Sequence, residues 1–265
     1  MAGLTGALDA RIEATLRRDR RVVLSSLGLV AALAWVYLWL DAQAMSAMHM
    51  GMQQMPGMAS ATGPGILAMY FVMWAIMMVG MMLPSAAPTI LVYGALVRKN
   101  GERGTVLPAV WIFTSGYLFA WTVFSLAVAA LQVLLHQSAL VTPMMVSASA
   151  DLSAAILIAA GIYQWLPLKR ACLRKCRNPL AFFLTRWRAG GLGAFRMGVE
   201  NGAYCVACCW VLMLLLFVAG VINLLWVALI TVFVFVEKVL PAPKVTTGIA
   251  GGVLIAAGLM LLIGA

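Results

Sequence analysis

Long apolar runs alternate with short polar interruptions along the whole chain. The longest exceed the roughly 18 residues that a helix needs to cross a bilayer core of about 30 Å. They lack the period-two alternation of a barrel strand, and in lipid every backbone N–H has to be satisfied within its own segment. The pattern therefore predicts an all-α, polytopic transmembrane bundle. Seven spans are expected, at about 22–40, 66–97, 106–135, 152–166, 203–219, 224–240 and 247–263. The run from 66 would be about 48 Å long as one helix. Pro84 and Pro88 flank Ser85, Ala86 and Ala87 inside it, so a kink or a broken helix is expected there. The run 203–236 would be about 51 Å long, and Gly220 and Asn223 offer the turn that divides it.

The polar interruptions set the organisation. Residues 1–21 form a basic head, 22–40 the first span, 41–65 an external Met-rich loop, and 66–265 a membrane domain of six spans. Within that domain 167–202 is the longest polar loop, and 180–187 reads as a short interfacial helix. The basic start of the first span resembles a signal peptide, with Ala42-Gln43-Ala44 as a cleavage site. Its apolar stretch is longer than a signal core, however, and Trp35, Tyr37 and Trp39 near its far end read as an interfacial belt. An uncleaved anchor is the expectation.

Composition agrees: 64% of residues are hydrophobic and 10% charged, far from the quarter or so charged in soluble domains. The net charge of +10 is explained by placement. With a cytoplasmic N-terminus, the inside segments 1–21, 98–105, 167–202 and 237–246 carry five, three, eight and two Lys and Arg, which is all 18 of them. The outside loops carry none, as the positive-inside rule requires, and the C-terminus falls outside. The basic charge then faces anionic membrane lipid, and nucleic acid is an unnecessary partner. The bacterial inner membrane is the expected location.

Three groups of residues carry candidate chemistry. Cys205, Cys208 and Cys209 fall within five residues and, at about 100° per residue, lie within one face of a helix. The topology puts them near the cytoplasmic mouth of the fifth span, beside a loop that holds Cys172 and Cys176. Thiolates from two such pairs suit a tetrahedral zinc site or a softer Cu(I) site. Flanking Lys and Arg are expected to lower the thiol pKa values, and a reducing cytoplasm argues against a structural disulfide. Cysteine also packs as a small buried residue. The second group is the outer loop, where Met45, Met48, His49, Met50, Met52, Met55 and Met58 offer soft ligands for Cu(I), or else form a composition-biased loop. The third is the row Met69, Met73, Met77 and Met81, with Met78 and Met82 beside it, which is either a relay for copper or helix-packing filler. Glu200 and Glu237, at span ends, form a candidate acidic site or act as interface anchors. No nucleotide loop, dinucleotide fingerprint or Ser-His-Asp set is present, and two histidines do not suggest a haem or histidine-ligated oxidase centre. A binding or trafficking protein is expected rather than an enzyme.

The stretches MMVGMMLPSAAPTILVYG (77–94), YQWLPLKRACLRKCRNPL (163–180), FRMGVENGAYCVACCWVLMLLLFVAGVINLLW (195–226) and VEKVLP (236–241) resemble a bacterial family of predicted metal-binding integral membrane proteins, domain of unknown function 2182. The resemblance implies that Cys172, Cys176, Cys205, Cys208 and Cys209 match the family's cysteine positions. Residues and resemblance together lead to one expectation. The chain binds a soft metal, copper with zinc as the alternative, for trafficking or for cofactor delivery to protein partners in the membrane or periplasm. A thiol-redox membrane protein and a structural subunit of a larger membrane complex are the competing readings.

Overall fold

A computed structural model describes residues 2–52, 64–99, 106–138, 149–221, 223–240 and 243–264. Among them every regular element is a helix. In chain order these are α1 (Ala2–Met52), α2 (Pro64–Lys99), α3 (Val106–Gln137), α4 (Ala150–Trp165), α5 (Pro167–Arg177), α6 (Pro179–Arg186), α7 (Gly190–Leu214), α8 (Leu216–Ala219), α9 (Leu224–Val239) and α10 (Pro243–Gly264).

α2 packs on α1, α3, α6 and α9. Trp74, Met77, Met78, Met81, Met82, Leu83 and Ile90 on it are fully enclosed. The α3–α7 contact is close because glycine opens it. A Cβ on Gly198 would lie 2.0 Å from the carbonyl oxygen of Phe113, and one on Gly116 would lie 2.1 Å from that of Phe195. Small residues that let backbones approach are the usual means of joining helices where lipid removes any hydrophobic drive between them. A second close pair, α4 with α10, is tied by Trp165 Nε1 donating to the Gly248 carbonyl at 3.2 Å. An ion pair between Asp19 and Arg98 joins the polar end of α1 to the end of α2.

The helices differ from the expected elements in instructive ways. α1 continues to Met52, so the first part of the expected outer loop is helical, because Ala and Met are strong helix formers and outweigh Ser46 and Gly51. α2 runs unbroken through Pro84 and Pro88, held by neighbours on several sides. The expected loop 167–202 folds as α5, α6 and the first half of α7. Pro167 and Pro179 start the two short helices at positions where a missing N–H costs nothing. The division near residue 220 is there: Gly220 has φ +91°, and the Asn223 side chain caps α9 by accepting from the Trp226 N–H at 3.2 Å.

Among the described residues five helices are long and apolar enough to cross a membrane, within 17–44, 65–99, 106–137, 190–219 and 245–263. α4 joins them only together with α5, from which it is bent by 65°. α9 has 16 residues, about 24 Å of rise. Large apolar side chains stand exposed around the bundle, among them Leu29, Leu33, Leu134, Leu225, Ile249 and Ile263. A soluble monomer rarely shows so much apolar surface, and these faces are compatible with a membrane location.

Candidate metal centre

α7 places Cys205, Cys208 and Cys209 on its buried face, at 2%, 1% and 0% exposure. The thiols of Cys208 and Cys209 both turn back to the Cys205 carbonyl, at 3.1 and 2.9 Å. The fourth thiol comes from α5, where Cys176 approaches Cys208. Cys172, one turn earlier, is half-buried and within electrostatic reach of Cys208. Helix spacing and the approach of α5 to α7 thus bring four sulfurs together, with a fifth nearby.

The two α5 thiols, outside the long apolar helices, are held above the ordinary thiol value. For Cys176 the hydrogen bond with Cys208 and then burial raise it. For Cys172 burial and the nearby Cys208 outweigh the opposing effect of Lys175. This corrects the expectation that flanking Lys and Arg lower these values. Most of those cations face outward, and Lys175 itself is engaged with Tyr204, donating to its hydroxyl at 2.9 Å.

Cys205 has a polar wall supplied by three other helices. Lys238 on α9 donates to its sulfur at 2.9 Å and to the Ser85 hydroxyl on α2 at 2.8 Å. The Tyr117 hydroxyl on α3 lies 3.0 Å from the same sulfur and donates to the Met82 carbonyl at 3.4 Å. Ser85 in turn donates to that carbonyl at 2.8 Å. The helical segment through Pro84 therefore brings Ser85 and the Met82 carbonyl to the thiol cluster. Lys238, Tyr117 and Ser85 were not singled out in the sequence.

The two acidic candidates separate. Glu237 is buried in an ion pair with Lys169, at 2.7 Å with side chains 1% and 0% exposed. Lys169 also donates to Gln164, and Arg177 donates to the Glu237 backbone carbonyl at 3.4 Å. These contacts fasten α5 to α9. A signal for Lys169 was available: Lys169, Cys172, Leu173 and Cys176 follow the i, i+3, i+4, i+7 pattern of one helix face. Glu200 instead receives Arg186 and Arg188, each at 3.0 Å, and clamps the turn between α6 and α7 near the surface.

In the methionine row, Met73, Met77 and Met81 face the core, as do Met78 and Met82, while Met69 is exposed. Met197 and Met213 on α7 are also fully buried. Met45, Met48, His49, Met50 and Met52 fall on the end of α1, but their side chains, like Met55 and Met58 altogether, lie outside the described residues. Among the described residues no group of three or more His, Cys, Asp or Glu side chains is arranged to hold a metal ion.

Residues 71–261 match a family model described as copper chaperone. No curated protein and no solved structure matches the chain.

Proposed function

The chain belongs to the copper chaperone family, and from that premise we propose that it is an integral inner-membrane protein that takes up Cu(I) on its buried cysteine cluster and hands it to a protein partner. The supporting observation is the approach of the half-buried Cys176 on α5 to the buried Cys205, Cys208 and Cys209 on α7. Soft sulfur ligands favour Cu(I), and cysteine ligands give up their protons as the metal binds. The ligands proposed are Cys205, Cys208, Cys209 and Cys176, with Cys172 as an entry or exit ligand at the edge. Zinc on four thiolates is the alternative cargo. Met45, Met48, His49, Met50, Met52, Met55 and Met58 would capture copper outside, and Met69, Met73, Met77 and Met81 would pass it inward.

The test is metal content of the full chain purified anaerobically without affinity metals, loaded with Cu(I). Cys208→Ser with Cys209→Ser is expected to remove nearly all bound copper, Cys176→Ser to weaken it, and Cys172→Ser to change it least. Unchanged copper in the double variant would sink the proposal.

One observation favours a second reading. The Cys176–Cys208 contact joins two helices, as a reversible disulfide would. That reading requires a mixed disulfide with a partner when Cys208 is left without Cys176, and it fails when none is trapped under mild oxidation.

A further inference from the structure

We propose that the end of the bundle where α1 meets α2 and α3 holds one anionic phospholipid, with its phosphate on Arg98 and Arg18 and an acyl chain in the apolar slot beside them. The proposal rests on the reading of the chain as a membrane protein and is independent of the copper reading. A cavity of about 460 Å³ lies between α1 and the start of α3, with Arg18, Asp19, Arg98, Val22, Leu107 and Pro108 on its walls. That volume is in the usual range of small-ligand sites. A second cavity, of about 230 Å³, lies between α1 and α2, where Val23, Ile90, Leu91, Gly94 and Ala95 make most of the lining. The two meet at Asp19, Val23, Arg98 and Val106, which line both. A chamber with charged walls thus adjoins an apolar one, the layout that an amphiphile fits.

Arg98 sets the chemistry of the head. Its guanidinium pairs with Asp19 through Nη2, while its Nε is enclosed and has no acceptor among the described residues. A buried donor without a partner is costly. A guanidinium has five N–H donors in a planar fork, so a phosphate oxygen can take the Nε hydrogen with the Asp19 pair still in place, and phosphate is a group that this fork suits. The sign of the charge agrees. Among the described lining residues Asp19 is the single acid, against Arg18, Arg20 and Arg98. The tail follows from the slot. Ala95, Val22 and Leu107 are exposed, so the cavities open to the surroundings of the bundle, where lipid lies in the membrane reading. A free phosphate would leave the apolar walls facing water, whereas an acyl chain covers them.

General attraction of a basic membrane face to anionic lipid would weigh every exposed arginine alike, so the experiment compares arginines. Full-length protein, delipidated in a neutral detergent, is heated in micelles doped with phosphatidylglycerol, with phosphatidylcholine, or with inorganic phosphate and no lipid. Phosphatidylglycerol is expected to raise the unfolding midpoint of the wild type by about 5 °C when saturating, and the other two to leave it nearly unmoved. Arg98→Gln is expected to abolish most of that shift, and Arg18→Gln to reduce it. Ala95→Trp, which fills the slot and keeps every charge, is expected to bring phosphatidylglycerol down to the level of phosphatidylcholine. Arg174→Gln, on the exposed side of α5, is expected to leave the shift whole. An equal shift with phosphatidylcholine overturns the proposal, as does a loss in Arg174→Gln as large as in Arg18→Gln, or a full shift in Ala95→Trp. A shift with inorganic phosphate that matches phosphatidylglycerol makes this a free-anion site and overturns the lipid. Should Arg98→Gln fail to fold, Arg18→Gln and Ala95→Trp decide, since both keep the Asp19–Arg98 pair. A wild type that stays in solution without detergent overturns the membrane reading together with the proposal.

Discussion

The least expected residue is Lys169, a lysine with no exposed surface inside an apolar bundle. Its ion pair with Glu237 is fully enclosed. Taking both charges out of water offsets much of their attraction, so the pair is weak evidence of stability, but removing one partner strands the other. Lys169→Met is expected to destabilise the protein by about 3–5 kcal/mol, and Lys169→Met with Glu237→Leu to recover much of the loss. Thermal unfolding in detergent checks both. If the single variant is as stable as the wild type, Glu237 has found other company and the fastening of α5 to α9 is not through this pair. The same residue shows why copper capture would be sensitive to it. α5 carries Cys176 to the cluster, and Lys169 and Arg177 hold α5 against α9.

At the scale of elements, the helices and most of their ends were legible in the hydrophobic pattern, because a lipid-crossing helix announces itself by length and composition. The positions of α3, α4 and α10 follow it closely. α5 and the start of α7 were hidden because the signal there is amphipathic, with Arg, Lys and Gly masking a buried face. The cysteine cluster was legible as far as α7, where three sulfurs share a helix face. The approach of Cys176 was stated only as an expectation, and the wall of Lys238, Ser85 and Tyr117 was invisible, since it comes from three helices distant in sequence. What fixes that wall is the α3–α7 contact. Gly198 sits against the Phe113 carbonyl, one turn from Tyr117, so Gly198→Ala has to push the helices apart. The expected cost is about 1–3 kcal/mol, accompanied by weaker copper binding, since Tyr117 would withdraw from Cys205. Denaturation and copper competition on one preparation check the coupling. Full stability with normal copper affinity would mean that α3 does not position the site.

At the scale of the whole molecule, two features follow from the way charge and methionine are distributed along the bundle. Asp19 pairs with Arg98 at the polar end of α1, and the proposed orientation puts that end in the cytoplasm. Reporter fusions after residues 100 and 140 are expected to report cytoplasm and exterior respectively, and the reverse would invert the copper path. The path itself is the more demanding claim. Met69 is exposed, whereas Met73, Met77 and Met81 point into the core, and the Met82 carbonyl already shares Tyr117 with Cys205. The proposed relay is this row of thioethers along α2. Packing alone also explains buried methionine, and the two roles part on one substitution. Met77→Leu with Met81→Leu conserves volume, so each change should cost less than about 1.5 kcal/mol, while the soft sulfur is lost. A relay predicts slower loading of the cluster from outside in proteoliposomes, with the equilibrium Cu(I) affinity in detergent unchanged, because the thiols still hold the ion. A fall in equilibrium affinity would instead make these methionines ligands of the site. If neither rate nor affinity moves, the row is packing, and copper reaches Cys205 from the α5 side.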